Sequence, residues 1–257
     1  MKIVMLSFLC LSILACKDNK VSSQIESTAI DTAKSENKDF VMEDSKEISN
    51  PIKHEIGSLH DTVFQRLEIY YPRIKQIDYF LNGIPFTLLL TQNNDDVRKT
   101  GNVTDYHSHI VAFALNLSQD TILKVWQIQD MLKKQKDNNE LENNIYWIKK
   151  YCEALDVNGD KNDEIFLVYA SEGNNNISDG RLNIMTYFND KKHFIRHQNG
   201  VLDFQRNMQV DKSIYKLPIE IQAKLKAILT DISNEDIAIL PYGWQEQFDK
   251  GVLNIKE

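Results

Sequence analysis

Cysteine is scarce in this 257-residue chain, and basic side chains are outnumbered by acidic ones. The three cysteines are Cys10, Cys16 and Cys152. The first two lie within or at the end of an N-terminal apolar stretch, which leaves Cys152 without an intrachain partner and excludes a disulfide framework. No base stands near Cys152 in sequence to activate a thiolate, so its expected role is that of a small buried hydrophobe. Lys and Arg number 30 against 37 Asp and Glu, a formal net charge of −7, which argues against nucleic acid as a partner. Past the N-terminus no second apolar stretch approaches membrane length. Nucleophile elbow, P-loop, dinucleotide fingerprint and zincin motif are all missing.

What is present starts with "MKIVMLSFLCLSILAC". One positive charge, Lys2, precedes a short apolar run, and the chain turns polar at once with "KDNK". Too brief to span a membrane as a mature helix, residues 1–15 read as a signal peptide. The end of the run, "ILAC", resembles a bacterial lipobox, in which Cys16 becomes the new N-terminus and carries the lipid. The expected location is the cell envelope, as an outer-membrane or surface-exposed lipoprotein that meets the membrane through that lipid. Residues 16–50 contain neither Gly nor Pro and are rich in Ser, Lys, Asp, Glu and Asn. Such a segment buries too little apolar surface to offset the entropy of ordering it, and reads as a lipid-anchored disordered tether.

Residues 51–257 suffice for one domain with a core of its own, expected to be β-rich. In "KQIDYFLNGIPFTLLLTQ" two β-rich runs flank Asn82-Gly83, the strongest short hairpin signal. "HIVAFALNLSQDTILKVWQIQD" gives two more runs around "LSQD". "EIFLVYASE" is nearly continuous in apolar residues, as for a strand buried on both faces. "GRLNIMTYFNDKKHFIRHQNG" reads as a hairpin with Asn189-Asp190 at its tip. The order repeats itself: an Asn-Gly pair precedes three strands twice, at Asn82-Gly83 and at Asn158-Gly159. The expected fold is mainly β, with antiparallel β-meanders arranged as two propeller-blade-like units or as a sandwich. Residues 217–232 place Ile221, Leu225, Ile228, Leu229 and Ile232 at helical spacing behind Pro218, which predicts a C-terminal amphipathic helix covering one sheet face. The polar stretch 131–151 reads as a connector, partly helical.

The stretch "LDVNGDKNDEI" carries the chemistry. Asp156, Asn158, Asp160 and Glu164 crowd oxygen-bearing side chains into a short loop, where they repel one another unless a cation sits among them. A hard dication such as calcium takes six to eight oxygens. With Asp156 as position 1, Asn158 falls at 3, Asp160 at 5, Asn162 at 7 (through its main-chain oxygen) and Glu164 at 9. Position 6 commonly needs a left-handed backbone and a glycine, yet Lys161 stands there. The site expected from spacing is therefore Asp156, Asn158, Asp160, Asn162 and Glu164, holding calcium in a structural role. A metal-free turn rich in Asx residues is the alternative.

An EF-hand does not fit, because a strand follows the loop and Leu167 occupies position 12. "DVNGDKNDEI" instead resembles the calcium loops of FG-GAP and VCBS-type β-repeats. The wider blocks "HIVAFALN…KVWQIQD", "DVNGDKNDEIFLVYA" and "NIMTYFNDKKHFIRHQNG" resemble a family of uncharacterised bacterial surface lipoproteins labelled surface polysaccharide biosynthesis proteins. The resemblance implies a context and no chemistry. It points to a binding or scaffolding module whose partner is an envelope protein or a glycan. The alternatives are an enzyme acting on surface polysaccharide and a purely structural lipoprotein.

Three further constellations stand out. His107, His109, His193 and His197 could meet at a zinc, although strand-end histidines are more often satisfied locally. Trp126, Trp147, Trp244 and Tyr70-Tyr71 could form a stacking platform for sugars, although aromatics in strands are usually packing. Asp203, Arg206 and Asp211 lie in a stretch read as a loop, where charges are usually solvated.

Overall fold

The computed structural model describes residues 61–93, 107–117, 121–133, 142–173 and 175–256. The leader 1–15, Cys16 and the tether 16–50 lie outside them. Helix α1 (Asp61–Arg66) precedes a meander of four antiparallel strands, β1 (Arg73–Leu81), β2 (Ile84–Gln92), β3 (His109–Asn116) and β4 (Leu123–Met131), in the order β1-β2-β3-β4. A second antiparallel sheet is built from β5 (Asn144–Trp147), β6 (Glu153–Leu155), β7 (Glu164–Glu172), β8 (Arg181–Phe188), β9 (Lys191–Gln198), β10 (Asn207–Val210) and β11 (Asn254–Lys256). Its order is β11-β10-β9-β8-β7-β5, with β6 also pairing β7. Helices α2 (Ile219–Asn234) and α3 (Trp244–Asp249) lie between β10 and β11 in sequence.

Alternation along the strands sorts these elements into four layers. Phe86, Leu88 and Leu90 of β2 and Ile110, Ala112 and Ala114 of β3 share one core with Ile165, Leu167 and Tyr169 of β7. The two sheets therefore face each other as a sandwich. Opposite-parity residues of the first sheet, Leu89, Val111, Phe113 and Leu115, join Val63 and Leu67 of α1. Opposite-parity residues of β7, Phe166, Val168 and Ala170, join α2 and α3. Strand β7 is thus covered on both sides, the reason its apolar run does not alternate with polar residues. The buried residues of α2 are Ile221, Leu225, Ile228, Leu229 and Ile232, the stripe its spacing predicts.

Asn82 and Gly83 both take positive φ, 53° and 73°, as do Asn189 and Asp190, 47° and 57°. Each pair closes a two-residue hairpin whose twist matches that of its strands. The repetition expected from sequence is visible in the pairing. β1 pairs β2 across Asn82-Gly83, and β6 pairs β7 across the connection containing Asn158-Gly159.

The polar stretch 131–151 differs from its expected connector role. It contains the edge strand β5, followed by a short 3₁₀ turn, Lys149–Tyr151. Ile145 and Trp147 are buried between the sheets. Two inward side chains per strand are too few to stand out from polar neighbours.

A cluster of charged groups lies between the sheets, at the end where β7 finishes. Arg181 pairs with Asp130 of β4 and, at 2.6 Å, with Glu142. The Glu142 carboxylate also accepts from the Ser171 hydroxyl at 2.7 Å. Both carboxylates keep less than a fifth of their side-chain surface exposed, so each depends on the guanidinium for its charge balance.

Candidate metal centre

Residues 156–163 connect β6 to β7. The loop folds around Asp156, whose Oδ1 accepts from the N–H groups of Gly159 (2.7 Å) and Asp160 (3.1 Å) and whose Oδ2 accepts from Lys161 N–H (2.9 Å). Asp160 in turn accepts from Asn162 N–H at 2.8 Å. Gly159 and Lys161 take positive φ, 79° and 69°. The left-handed turn that position 6 demands is therefore made, with lysine bearing strain that a glycine would not. The Lys161 side chain is exposed.

Asp156, Asp160 and Glu164 each bring a carboxylate oxygen to within 4.8 Å of the others. Glu164 is 1% exposed and receives Val157 N–H at 2.9 Å. Burial pushes its carboxyl above the usual range, and the charges of Asp160 and Asp156 push it further. Asp160 moves the other way, chiefly because Asn162 N–H bonds its charged form. Two acids next to a third, buried one favour either a proton or a cation in the gap. The donor set, hard oxygens only, suits calcium or magnesium over softer metals.

The five expected site residues do not behave alike. The structure brings Asp156, Asp160 and Glu164 together. Asn158 stays beside them, its Nδ2 donating to Asp160 at 3.0 Å and its Oδ1 accepting Asp160 N–H at 2.9 Å. The Asn162 side chain reaches the first sheet, where Oδ1 accepts Asn82 N–H at 2.5 Å. Asp163, not singled out from sequence, follows the same direction. Its carboxylate accepts Phe80 N–H at 2.7 Å, and its own N–H donates to Phe80 carbonyl at 2.9 Å. The acidic loop is thereby docked on the first sheet's β1–β2 hairpin. Sequence gave no sign of this contact, because its partners are about eighty residues apart.

The remaining candidates separate. Trp126, Trp147 and Trp244 are 4%, 3% and 3% exposed and belong to the cores, so they form no stacking platform. His193 and His197 lie buried on the helix-facing side of β9, whereas His109 lies on β3 of the other sheet. His193 bonds Ser213 at 2.7 Å, and His197 bonds Asn199 and the Ile239 carbonyl, both at 3.0 Å. Among the described residues, Asp156, Asp160 and Glu164 form the one cluster of three metal-ligating side chains. The stretch 203–211 is a 3₁₀ turn plus strand β10 instead of a loop. Its acids are each paired with an arginine, Asp203 with Arg206 and Asp211 with Arg196, both at 2.8 Å. Cys152 is buried, with its thiol pushed up to about 12 by burial, which makes it inert.

The fold and site together define a mainly β, two-sheet sandwich covered by helices, with an acidic loop that joins the sheets. Compared with known proteins, the chain matches no family model, no curated protein and no solved structure.

Proposed function

We propose that this chain is an envelope lipoprotein, anchored by a lipid on Cys16, whose β domain is a binding or scaffolding module with a structural calcium in the β6–β7 loop. The leader sequence supports the anchor, and the resemblance of the loop to FG-GAP and VCBS-type repeats supports the ion. The observation that carries the reading is the convergence of Asp156 and Asp160 on the buried Glu164. A dication there would neutralise the three carboxylates and fix the strand entry that docks on Phe80 and Asn82. Its work would be structural: it would hold the two sheets in one relative position and leave their surfaces to an envelope partner.

Two measurements test this. Cys16→Ser should abolish incorporation of labelled fatty acid, and continued labelling would remove the anchor. Calcium should raise the melting temperature of the full chain, since a ligand that prefers the native state stabilises it by mass action. An unmoved melting curve would reduce the loop to a turn.

A further inference from the structure

A groove of about 380 Å³ opens along the β5 edge of the second sheet, where residues of both sheets line it, within the range of small-molecule sites. Ile74 of β1 and Gln92 of β2 line it from the first sheet, and Asn144, Tyr146 and Glu172 from the second. His107, Trp147 and Lys149 also line it.

Glu172, Tyr146, Asn144 and His107 hold one another in place in this groove or are held by its backbone. The Glu172 carboxylate accepts from the Tyr146 hydroxyl at 3.1 Å and from Asn144 Nδ2 at 3.4 Å. Asn144 Oδ1 accepts the His107 backbone N–H at 3.0 Å. His107 Nδ1 lies 2.5 Å from the Asn93 carbonyl oxygen. That oxygen can only accept, so Nδ1 carries a proton and Nε2 is the ring's remaining hydrogen-bonding position. Burial, and then the Glu172 charge, raises the Tyr146 hydroxyl well above its ordinary range, so it remains a donor.

We infer that this groove binds a neutral polyhydroxylated ligand, a saccharide unit, without cleaving it. The reading rests on the binding-module function above and names its ligand. Hydroxyl groups both donate and accept, and the groove offers both kinds of partner: the Glu172 carboxylate as acceptor, the His107 ring nitrogen and the Gln92 amide as either, and Lys149 as donor. The opposite charges of Glu172 and Lys149 offset one another, which favours a neutral ligand over an ion. Ile74 and the Tyr146 ring supply the apolar side against which the C–H face of a sugar ring rests. Among the described lining residues Glu172 is the one acid. The two-carboxylate route to glycoside hydrolysis needs a second across the bond, so recognition is what these groups are equipped for.

The test is calorimetric titration of the full chain with glucose, galactose, mannose, N-acetylglucosamine and their short oligosaccharides, chosen after a printed glycan array. Saturable binding is expected for at least one. Gln92→Ala and Glu172→Gln, from opposite walls, should each weaken it about tenfold while the melting temperature stays put. Absence of heat across the panel up to about 10 mM, binding indifferent to both substitutions, released reducing sugar, or binding of short peptides in place of saccharides would each overturn the inference. If the groove fails while Cys16 labelling and the calcium shift persist, the ligand assignment falls alone. Loss of those two signals with sugar binding intact would sink the anchor and the ion instead.

Discussion

Asn82-Gly83 and Asn158-Gly159 occupy equivalent places in two meanders, and the chain treats them differently. The first closes a hairpin in two residues, with both dihedrals positive and nothing left over. The second sits inside an eight-residue connection that wraps its backbone N–H groups around Asp156 and gathers three carboxylates. The plain turn needs no ligand. The expanded one leans on the plain one, through Asn162 and Asp163, for part of its support. The expanded turn is thus where three carboxylates gather, and the plain turn is where it docks.

The largest perturbation should come from the opposite end of the sandwich, where Arg181 ties β8 to Asp130 and Glu142. Arg181→Ala strands two largely buried carboxylates and should cost about 3–5 kcal/mol, by the usual penalty for breaking a buried pair. Urea melts monitored at both sheets would show whether the acidic loop and its hairpin hold the layers together alone.

Acid should then separate the two meanders. Burial, with Arg206 adding to it, lowers His197 from 6.5 to about 4, while its bonds to Asn199 and Ile239 act against the shift. The folded state prefers the neutral ring. Its stabilising contribution is full above pH 6.5 and is lost as pH falls from 6.5 toward 4, in all about 3 kcal/mol. His193 is shifted in the same direction, chiefly by burial. Hydrogen exchange between pH 7 and pH 4 should show the second sheet loosening first, and His197→Gln should flatten that dependence.

Third in size should be the effect of the proposed ion. At a calcium concentration a hundred times its dissociation constant the gain is about 2.7 kcal/mol, or roughly 5–10 °C for a domain of this size. Asp156→Ala with Asp160→Ala should abolish the shift. Acid should weaken binding, because the raised Glu164 carboxyl takes a proton in competition with the metal. Removing the expanded loop's contact with the plain turn should matter less. Asp163→Ala deletes a charge-assisted bond to Phe80 N–H and should cost about 1–2 kcal/mol. The smallest expected effect has the opposite sign. Lys161→Gly relieves a left-handed lysine and should raise stability by about 0.5–1 kcal/mol.

Local features were legible before any coordinates. The continuous run of β7, the five buried positions of α2, both two-residue turns and the acid spacing of the loop each follow from neighbouring residues. Hidden were the features made by distant ones. β6 and β11 are three residues long and β5 four, too short for alternation to register. Arg181, Asp130 and Glu142 lie on separate elements, and only the stacking of the sheets reveals that their charges share one space. The groove beside β5 is likewise a product of two sheets and of no single motif.

Cys152 adds a practical consequence. Its sulfur lies 3.3 and 3.5 Å from the Val168 and Ile148 carbonyl oxygens and accepts Val168 N–H at 3.4 Å, deep between the sheets. Alkylating reagents reach it only when those layers part. The rate at which iodoacetamide modifies the Cys152 peptide, followed by mass spectrometry, is therefore a clock for opening of the sandwich, readable in intact cells without purification.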